Sequence, residues 1–172
     1  MPRLILMRHA KSDWSQSGKH DIDRPLNARG RAAAPRMGEW CAAQGLVPQR
    51  IVCSAALRTR QTLACLLDHF DGEIDIRLSR RLYEAEAGGY YQAVQEGGDA
   101  ETLMLIGHNP ATHELAMLLA GRGPDQHMSR LHARFPTAAI AVIDIDAPRF
   151  ADCVPGAGYL AMFMTPAELS EE

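Results

Sequence analysis

Short apolar runs alternate with amphipathic stretches along this chain. The runs lie at residues 3–8, 50–54, 102–106, 139–145 and 158–164, and a weaker one lies at 74–77. Each has the length of a single strand, and a nearly continuous apolar run is typical of a strand that a sheet buries on both faces. The pattern therefore predicts a central sheet that helices cover on both sides.

The stretches between the runs show helical spacing of their apolar residues. Helices are predicted at residues 28–44, 57–70, 90–96 and 110–120, with a helical piece starting at Leu82. Asn27 is a suitable N-cap for the first helix, and Asn109 followed by Pro110 predicts the start of the last one. The proline- and glycine-containing segment 122–136 is predicted to be a long surface loop, and the last eight residues are predicted to fray.

Strands that alternate with helices indicate an α/β fold. We predict a three-layer sandwich with a mainly parallel central sheet and helices on both faces. The chain has 172 residues, of which 47% are hydrophobic and 23% are charged. These values are ordinary for one globular domain, so residues 1–172 are expected to form a single domain.

Cationic and imidazole side chains follow three of the predicted strands. Arg8 and His9 come directly after the first run, Arg58 lies just beyond the second, and His108 follows the third. The carboxyl ends of neighbouring parallel strands meet at one edge of a sheet, where ligands bind. Two guanidiniums and two imidazoles around one small space favour an anion, and phosphate is the natural occupant.

These residues resemble motifs of the histidine phosphatase superfamily, which also contains the phosphoglycerate mutases. The resemblance lies in the Arg8-His9 strand end, in the spacing Ser-x-x-x-Arg-x-x-x-Thr from Ser54, and in Gly107-His108. The run Met7 to Trp14, together with Arg24-Pro25-Leu26, is similar to the SixA-like phosphohistidine phosphatase branch. The resemblance implies a phosphoglycerate mutase-like sandwich that allows an antiparallel strand near the edge.

The resemblance also implies the chemistry of the site. His9 is expected to be the nucleophile, with one ring nitrogen unprotonated and the other held by a neighbour, and a phosphohistidine intermediate follows. Arg8, Arg58 and a protonated His108 are expected to stabilise the charge of the transferring group. These donors take the role that a metal ion has elsewhere, so neither a metal nor another cofactor is expected.

A proton donor and further substrate contacts are less firmly indicated. Glu84 lies where the mutase-type members carry their acid, although an exposed glutamate at a helix start explains it equally well. Asp13 is the alternative acid. Ser12 is a candidate hydrogen-bond donor to phosphate, and Lys11 or Arg60 is a candidate for steering anions at the rim. Asp13 is also a candidate substrate-binding residue.

Charge and hydropathy restrict the partners. The formal net charge is −3 and the pI is about 6.2, which argues against a general nucleic-acid-binding protein. The sequence contains neither an apolar stretch of membrane-spanning length nor a secretory signal pattern, so we expect a cytoplasmic protein without a membrane partner.

Three functions remain open from the sequence. The short connections between motifs leave little material for a lid, so an open site that removes phosphate from phosphohistidine on a partner protein is the leading hypothesis. A phosphatase of a small phosphorylated metabolite is the second. A noncatalytic phosphate-sensing or partner-binding module is the third, since a fold does not determine a function.

Overall fold

A computed structural model describes residues 1–170, and a seven-stranded sheet forms the centre of this part of the chain. The strands are β1 (Arg3–Arg8), β2 (Arg50–Ser54), β3 (Asp75–Ser79), β4 (Thr102–Gly107), β5 (Ala120–Arg122), β6 (Ile140–Ile145) and β7 (Gly158–Met164). Their spatial order is β3-β2-β4-β1-β6-β7-β5. Among the strands described, β6 alone runs against the others.

Helices cover both faces of the sheet. They are α1 (Ala28–Ala43), α2 (Leu57–Leu67), α3 (Arg80–Glu84), α4 (Ala87–Gln95), α5 (Ala111–Leu119), α6 (Asp125–Ala133) and α7 (Pro166–Leu169). One apolar core joins α1 and α2 to one face, and a second joins α4, α5 and α6 to the other. The predicted three-layer α/β sandwich is confirmed. Within residues 1–170 we find no helix that combines the length and the apolar character needed to cross a membrane.

The position of the antiparallel strand differs from the expectation. It was expected near an edge of the sheet, whereas β6 lies between β1 and β7. The reason is that β7 and the short strand β5 extend the sheet beyond β6. The three residues of β5 are too few to give an alternating or apolar pattern, so the sequence did not predict this strand.

Three local predictions were wrong. Segment 122–136 contains α6, whose single buried residue, Leu131, gives too weak an apolar stripe to be recognised. Helix α5 begins at Ala111, because the Asn109 side chain donates to the Phe135 carbonyl rather than capping the helix. Residues 165–169 form a capped helical turn instead of fraying, while the last two residues of the predicted frayed end lie outside the described residues.

The strand order places the candidate residues at one edge of the sheet. Strand β4 pairs in parallel with both β1 and β2, with Arg8 opposite Gly107 and Cys53 opposite Ile106. The segments that follow β1, β2 and β4 therefore leave the sheet side by side. The His9 amide donates to the Gly107 carbonyl at 3.0 Å, which holds the segment that carries His9 against the segment that carries His108.

Candidate active site

His9 is held as a neutral imidazole. Its side chain is buried, and its Nδ1 lies 2.7 Å from the Ala10 carbonyl oxygen. A carbonyl only accepts, so Nδ1 carries the proton and Nε2 keeps its lone pair. Burial, more than the nearby positive charges, lowers the pKa of His9 to about 3. The ring is therefore uncharged at neutral pH, with one nitrogen unprotonated and the other held by a neighbour, as a nucleophilic histidine requires.

His108 lies beside His9, with the ring centroids 5.3 Å apart. The Arg58 Nη2 lies 3.3 Å from its Nδ1, and the Ser54 Oγ lies 2.7 Å from its Nε2. Arginine only donates, so Nδ1 accepts and Nε2 donates to Ser54. Burial, followed by the charge of Arg58, lowers the pKa of His108 to about 4. His108 is therefore neutral in this arrangement of charges, and its protonation beside a phosphoryl group stays a prediction.

Two arginines face the imidazoles from different elements. Arg58 on α2 is buried and donates to the Asp21 carbonyl at 2.8 Å and to the Asp21 carboxylate at 3.1 Å. Arg8 at the end of β1 donates to the Phe135 carbonyl at 3.1 Å. Within residues 1–170 the Nε atoms of both arginines are buried without a hydrogen-bond partner. An unpaired buried donor costs about 1–3 kcal/mol, so an anion that accepts from these groups is stabilised.

Asp21 and Arg24 belong to the site although the sequence analysis gave them no role. The Asp21 carboxylate accepts from Arg24 Nε at 3.0 Å and from the Tyr83 hydroxyl at 2.8 Å, in addition to Arg58. Burial opposes the charged carboxylate, but the bonds from Tyr83, Arg24 and Arg58 prevail and lower the pKa of Asp21 to about 2. The Arg24-Pro25-Leu26 motif was the available signal, and Asp21 lies three residues before it.

Six of the predicted site residues line one cavity of about 260 Å³. Its lining comprises Arg8, His9, Lys11, Ser12, Trp14, Asp21, Arg24, Arg58, His108, Asn109 and Thr137. The Ser12 hydroxyl accepts from Arg24 Nη1 at 2.7 Å, and the Arg24 guanidinium lies 3.4 Å over the exposed Trp14 ring. The structure thus brings Lys11 and Ser12 together with the four main candidates. We call this space the catalytic cavity.

The two candidate acids do not line the catalytic cavity. Glu84 is largely exposed, and its carboxylate lies 3.3 Å from Arg80 Nε. Tyr83 faces His108, and the next residue of a helix is rotated by about 100°, which turns Glu84 towards solvent. The Asp13 carboxylate accepts from the Ser15 amide at 2.7 Å, which closes a local turn. The structure therefore places Glu84, the expected acid, and Asp13, the alternative acid and candidate substrate-binding residue, outside the lining of the catalytic cavity.

A buried tyrosine fixes the segment that carries His108. The Tyr90 hydroxyl accepts from the His108 amide at 2.9 Å and donates to the Leu82 carbonyl at 2.9 Å. A Cβ at Gly107 would lie only 2.3 Å from that hydroxyl. Glycine is therefore required at position 107, because a side chain there would displace the tyrosine.

A match to a family model decides the relationship of the chain to known proteins. The model of the histidine phosphatase superfamily, branch 1, matches residues 4–101, which is more than half of the chain. The chain belongs to this superfamily. The matched region contains Arg8, His9 and Arg58 and ends before His108, which the structure places beside Arg58.

Relatives of the chain agree with this membership of the histidine phosphatase superfamily. An uncharacterized Mycobacterium tuberculosis protein is 39% identical over 163 residues, which cover 93% of this chain and 99% of that protein. The structure is also similar to a protein assigned as the phosphohistidine phosphatase SixA of Agrobacterium tumefaciens. That similarity has a TM-score of 0.79 and 31% identity, and it covers 96% of this chain and 99% of the other.

A second solved structure with a SixA assignment, from Nakamurella multipartita, gives the same result. Its TM-score is 0.81 at 27% identity, with 96% of each chain covered. The resemblance to the SixA-like branch of the histidine phosphatases, and with it the phosphoglycerate mutase-like fold, is confirmed.

Proposed function

We propose that this histidine phosphatase removes the phosphoryl group from a phosphohistidine side chain of a partner protein, through a covalent phosphohistidine at His9. The observation that carries the proposal is the geometry of His9, whose Nδ1 is bonded to the Ala10 carbonyl in a cavity lined by three arginines. The structural similarity to two proteins assigned as SixA supports the same substrate class.

The first step transfers the phosphoryl group to His9. The Nε2 lone pair forms a bond to phosphorus while the phosphorus–nitrogen bond of the substrate breaks, and the leaving imidazole takes that electron pair. Arg8, Arg24 and Arg58 stabilise the charge on the phosphoryl oxygens. Water then attacks phosphorus in the second step, and inorganic phosphate leaves a neutral His9.

His108 takes up a proton when the substrate binds. Burial and neighbouring arginines keep the ring neutral in the unliganded protein. A phosphoryl group brings up to two negative charges beside the ring, and a nearby opposite charge raises the pKa of an imidazole. Nδ1 then gains a proton from solvent and donates to a phosphoryl oxygen, while Nε2 keeps its proton and continues to donate to the Ser54 hydroxyl oxygen.

The protonation states in the catalytic cavity favour phosphohistidine over an alkyl phosphate. Among the described residues that line it, Asp21 is the one carboxylate, and a pKa of about 2 keeps it ionised and unable to donate a proton. The proton that His108 gains is engaged with a phosphoryl oxygen and does not reach the leaving group. An alkoxide leaving group needs a proton donor. A phosphorylated imidazole that carries a proton on its other nitrogen leaves as neutral imidazole and needs no acid from the protein.

The test compares leaving groups and the nucleophile in the presence of EDTA. We expect turnover of a phosphohistidine protein and of a chromogenic aryl phosphate. Rates for alkyl phosphates should be lower by about 100-fold or more, because a general acid that protonates the leaving group contributes at least this factor. His9→Ala should abolish all turnover. The matched control is His132→Ala, since His132 is exposed on α6 and does not line the catalytic cavity.

Trapping the intermediate completes this test. Brief incubation with a labelled phosphoramidate should leave an acid-labile, alkali-stable label on the parent protein and none on His9→Ala. Faster turnover of a phosphometabolite than of phosphohistidine would assign the protein to small substrates. Absence of turnover with every substrate would leave a phosphate-binding module.

A further inference from the structure

A second cavity adjoins the catalytic cavity and has no part in the chemistry described above. It has a volume of about 430 Å³, and apolar side chains including Ala33, Pro136 and Phe163 form its floor. Lys11 and Thr137 line both cavities, and a third cavity of about 400 Å³ shares the same two residues. We call the 430 Å³ cavity the side groove; it begins where the catalytic cavity ends.

The rim of the side groove is positively charged. Lys11, Arg29 and Arg134 lie on it, and all three are exposed. In the part of the chain that the structure describes, none of their side chains has an ion pair or a hydrogen bond, whereas Arg130 pairs with Glu168 at the same groove. Three cations at the rim are therefore available to a ligand.

This charge is not a property of the whole chain. Seven cationic side chains and two carboxylates line the three connected cavities, although the chain has a formal net charge of −3. A concentration of one sign along a cleft attracts a ligand of the opposite sign and raises its association rate. The ligand of the side groove is therefore expected to be acidic.

We propose that the side groove binds an acidic segment of the phosphorylated partner protein, adjacent to the residue whose phosphoryl group enters the catalytic cavity. This proposal rests on the proposed function and names a feature of its substrate. An extended polypeptide fits the side groove, because its backbone can pass Lys11 while its apolar side chains cover Phe163 and Pro136. The carboxylates of the polypeptide can then reach Arg29 and Arg134 at the rim.

A polypeptide explains the side groove better than a small metabolite does. The groove is larger than the catalytic cavity, its cations are exposed at the rim, and its floor is apolar. Small-molecule sites are concave and enclose most of the ligand surface. A second phosphate of a metabolite would use the cations of the rim but would leave the apolar floor without a partner.

The first arm of the test measures binding and needs no turnover. Two fluorescent peptides of equal length are compared on the His9→Ala protein, one with acidic residues and one with glutamine and asparagine at the same positions. Exposed ion pairs are individually weak, so several of them together should give the acidic peptide only a modest advantage. We expect it to bind about tenfold more tightly than the neutral peptide at low salt. The advantage should decrease as ionic strength rises, because salt screens exposed charges.

Charge variants locate the binding site. Arg29→Gln/Arg134→Gln should lose most of the preference, while its turnover of a chromogenic aryl phosphate stays within twofold of the parent. The matched control, Arg77→Gln/Arg122→Gln, removes the same charge from exposed arginines outside the groove and should keep the preference. Equal binding of both peptides, or an equal loss in the control, overturns the proposal. The proposal is also overturned if a small bisphosphate competes for the site as effectively as the acidic peptide.

The second arm separates this proposal from the proposed function. Phosphohistidine versions of the two peptides are incubated with the parent protein, and kcat/KM is compared. A tenfold preference for the acidic version supports the side groove as a substrate site. Preferential binding without dephosphorylation of either peptide supports the side groove as an acidic-peptide site. This outcome rejects only the proposed catalytic function.

Discussion

The catalytic cavity and the side groove lie next to each other and hold their cations in opposite ways. Arg58 in the catalytic cavity is buried and bonded to Asp21 and His108, whereas Arg29 and Arg134 at the side groove are exposed without side-chain partners among residues 1–170. Fixed donors stabilise a transition state because they need no reorganisation when the reaction occurs. Free surface cations suit recognition, since they adapt to a ligand and contribute little individually.

Removal of a fixed donor gives the largest expected effect. We expect Arg58→Ala to lower kcat for an aryl phosphate by about 100-fold or more, as the loss of one preorganised donor does elsewhere. Steady-state kinetics measures it. Arg60→Ala is the matched control, because Arg60 lies on the same helix and its exposed side chain bonds the Ala55 carbonyl instead. Similar losses in the two variants would show that Arg58 contributes only to the stability of α2.

The buried neutral histidines predict a pH dependence of stability. In the unfolded chain His9 and His108 titrate near 6.5, whereas folding lowers their pKa values to about 3 and about 4. Between pH 6.5 and 4 the unfolded chain binds more protons, so the free energy of unfolding falls as pH decreases. From pH 7.5 to 5.5 we expect a loss of about 3 kcal/mol, since each of the two groups contributes about 1.4 kcal/mol over this range.

Urea unfolding at the two pH values measures this loss. The double variant His9→Gln/His108→Gln should show less than half of it. Asp21 does not contribute in this range, because its pKa is lowered and its effect appears only below pH 3.8. A variant that loses as much stability as the parent would mean that other groups cause the pH dependence.

Asp21 is expected to position the arginines of the catalytic cavity. Asp21→Asn keeps the size of the side chain but weakens the bonds to Arg24 and Arg58, and we expect kcat to fall about tenfold because small misplacements of donors slow the reaction. The variant also removes a negative charge from the cavity, so inorganic phosphate should inhibit more strongly. Unchanged kcat together with unchanged phosphate inhibition would refute this role.

Glu84→Gln gives the smallest expected effect. Its carboxylate is exposed and faces Arg80 rather than the catalytic cavity, so kcat for a phosphohistidine peptide and for an aryl phosphate should stay within twofold of the parent. A tenfold loss, with a change in the alkaline part of the pH profile, would restore Glu84 as the proton donor and show that α3 moves when substrate binds.

The elements that the sequence predicted well are those whose burial is nearly complete. Strands β1 and β4 have continuous buried runs, and the predicted bounds agree with the structure to within one residue. The residues at their carboxyl ends were predictable because parallel strands bring such ends together. Helix α6 was missed because Leu131 is its one buried residue, so its position depends on tertiary contacts.

The loop between β1 and α1 explains why Asp21 and Arg24 were missed. Its shape is set by side-chain contacts, such as Arg24 with Ser12, and by an isolated bridge between Ser12 and Leu26. Neither contact produces a periodic pattern in the sequence. His108 shows a different limit, because its position was predictable but its charge depends on burial among arginines, which only the three-dimensional arrangement reveals.

The reversed direction of β6 brings the connection from α6 across the catalytic edge of the sheet. Phe135 in this connection accepts the bond from Arg8, Thr137 lines both cavities, and the Ala138 amide bonds the Arg8 and His9 carbonyls. The catalytic cavity and the side groove thus share one backbone segment along their border. Thermodynamic reciprocity then requires that an acidic segment and a phosphoryl group change each other's affinity by the same factor.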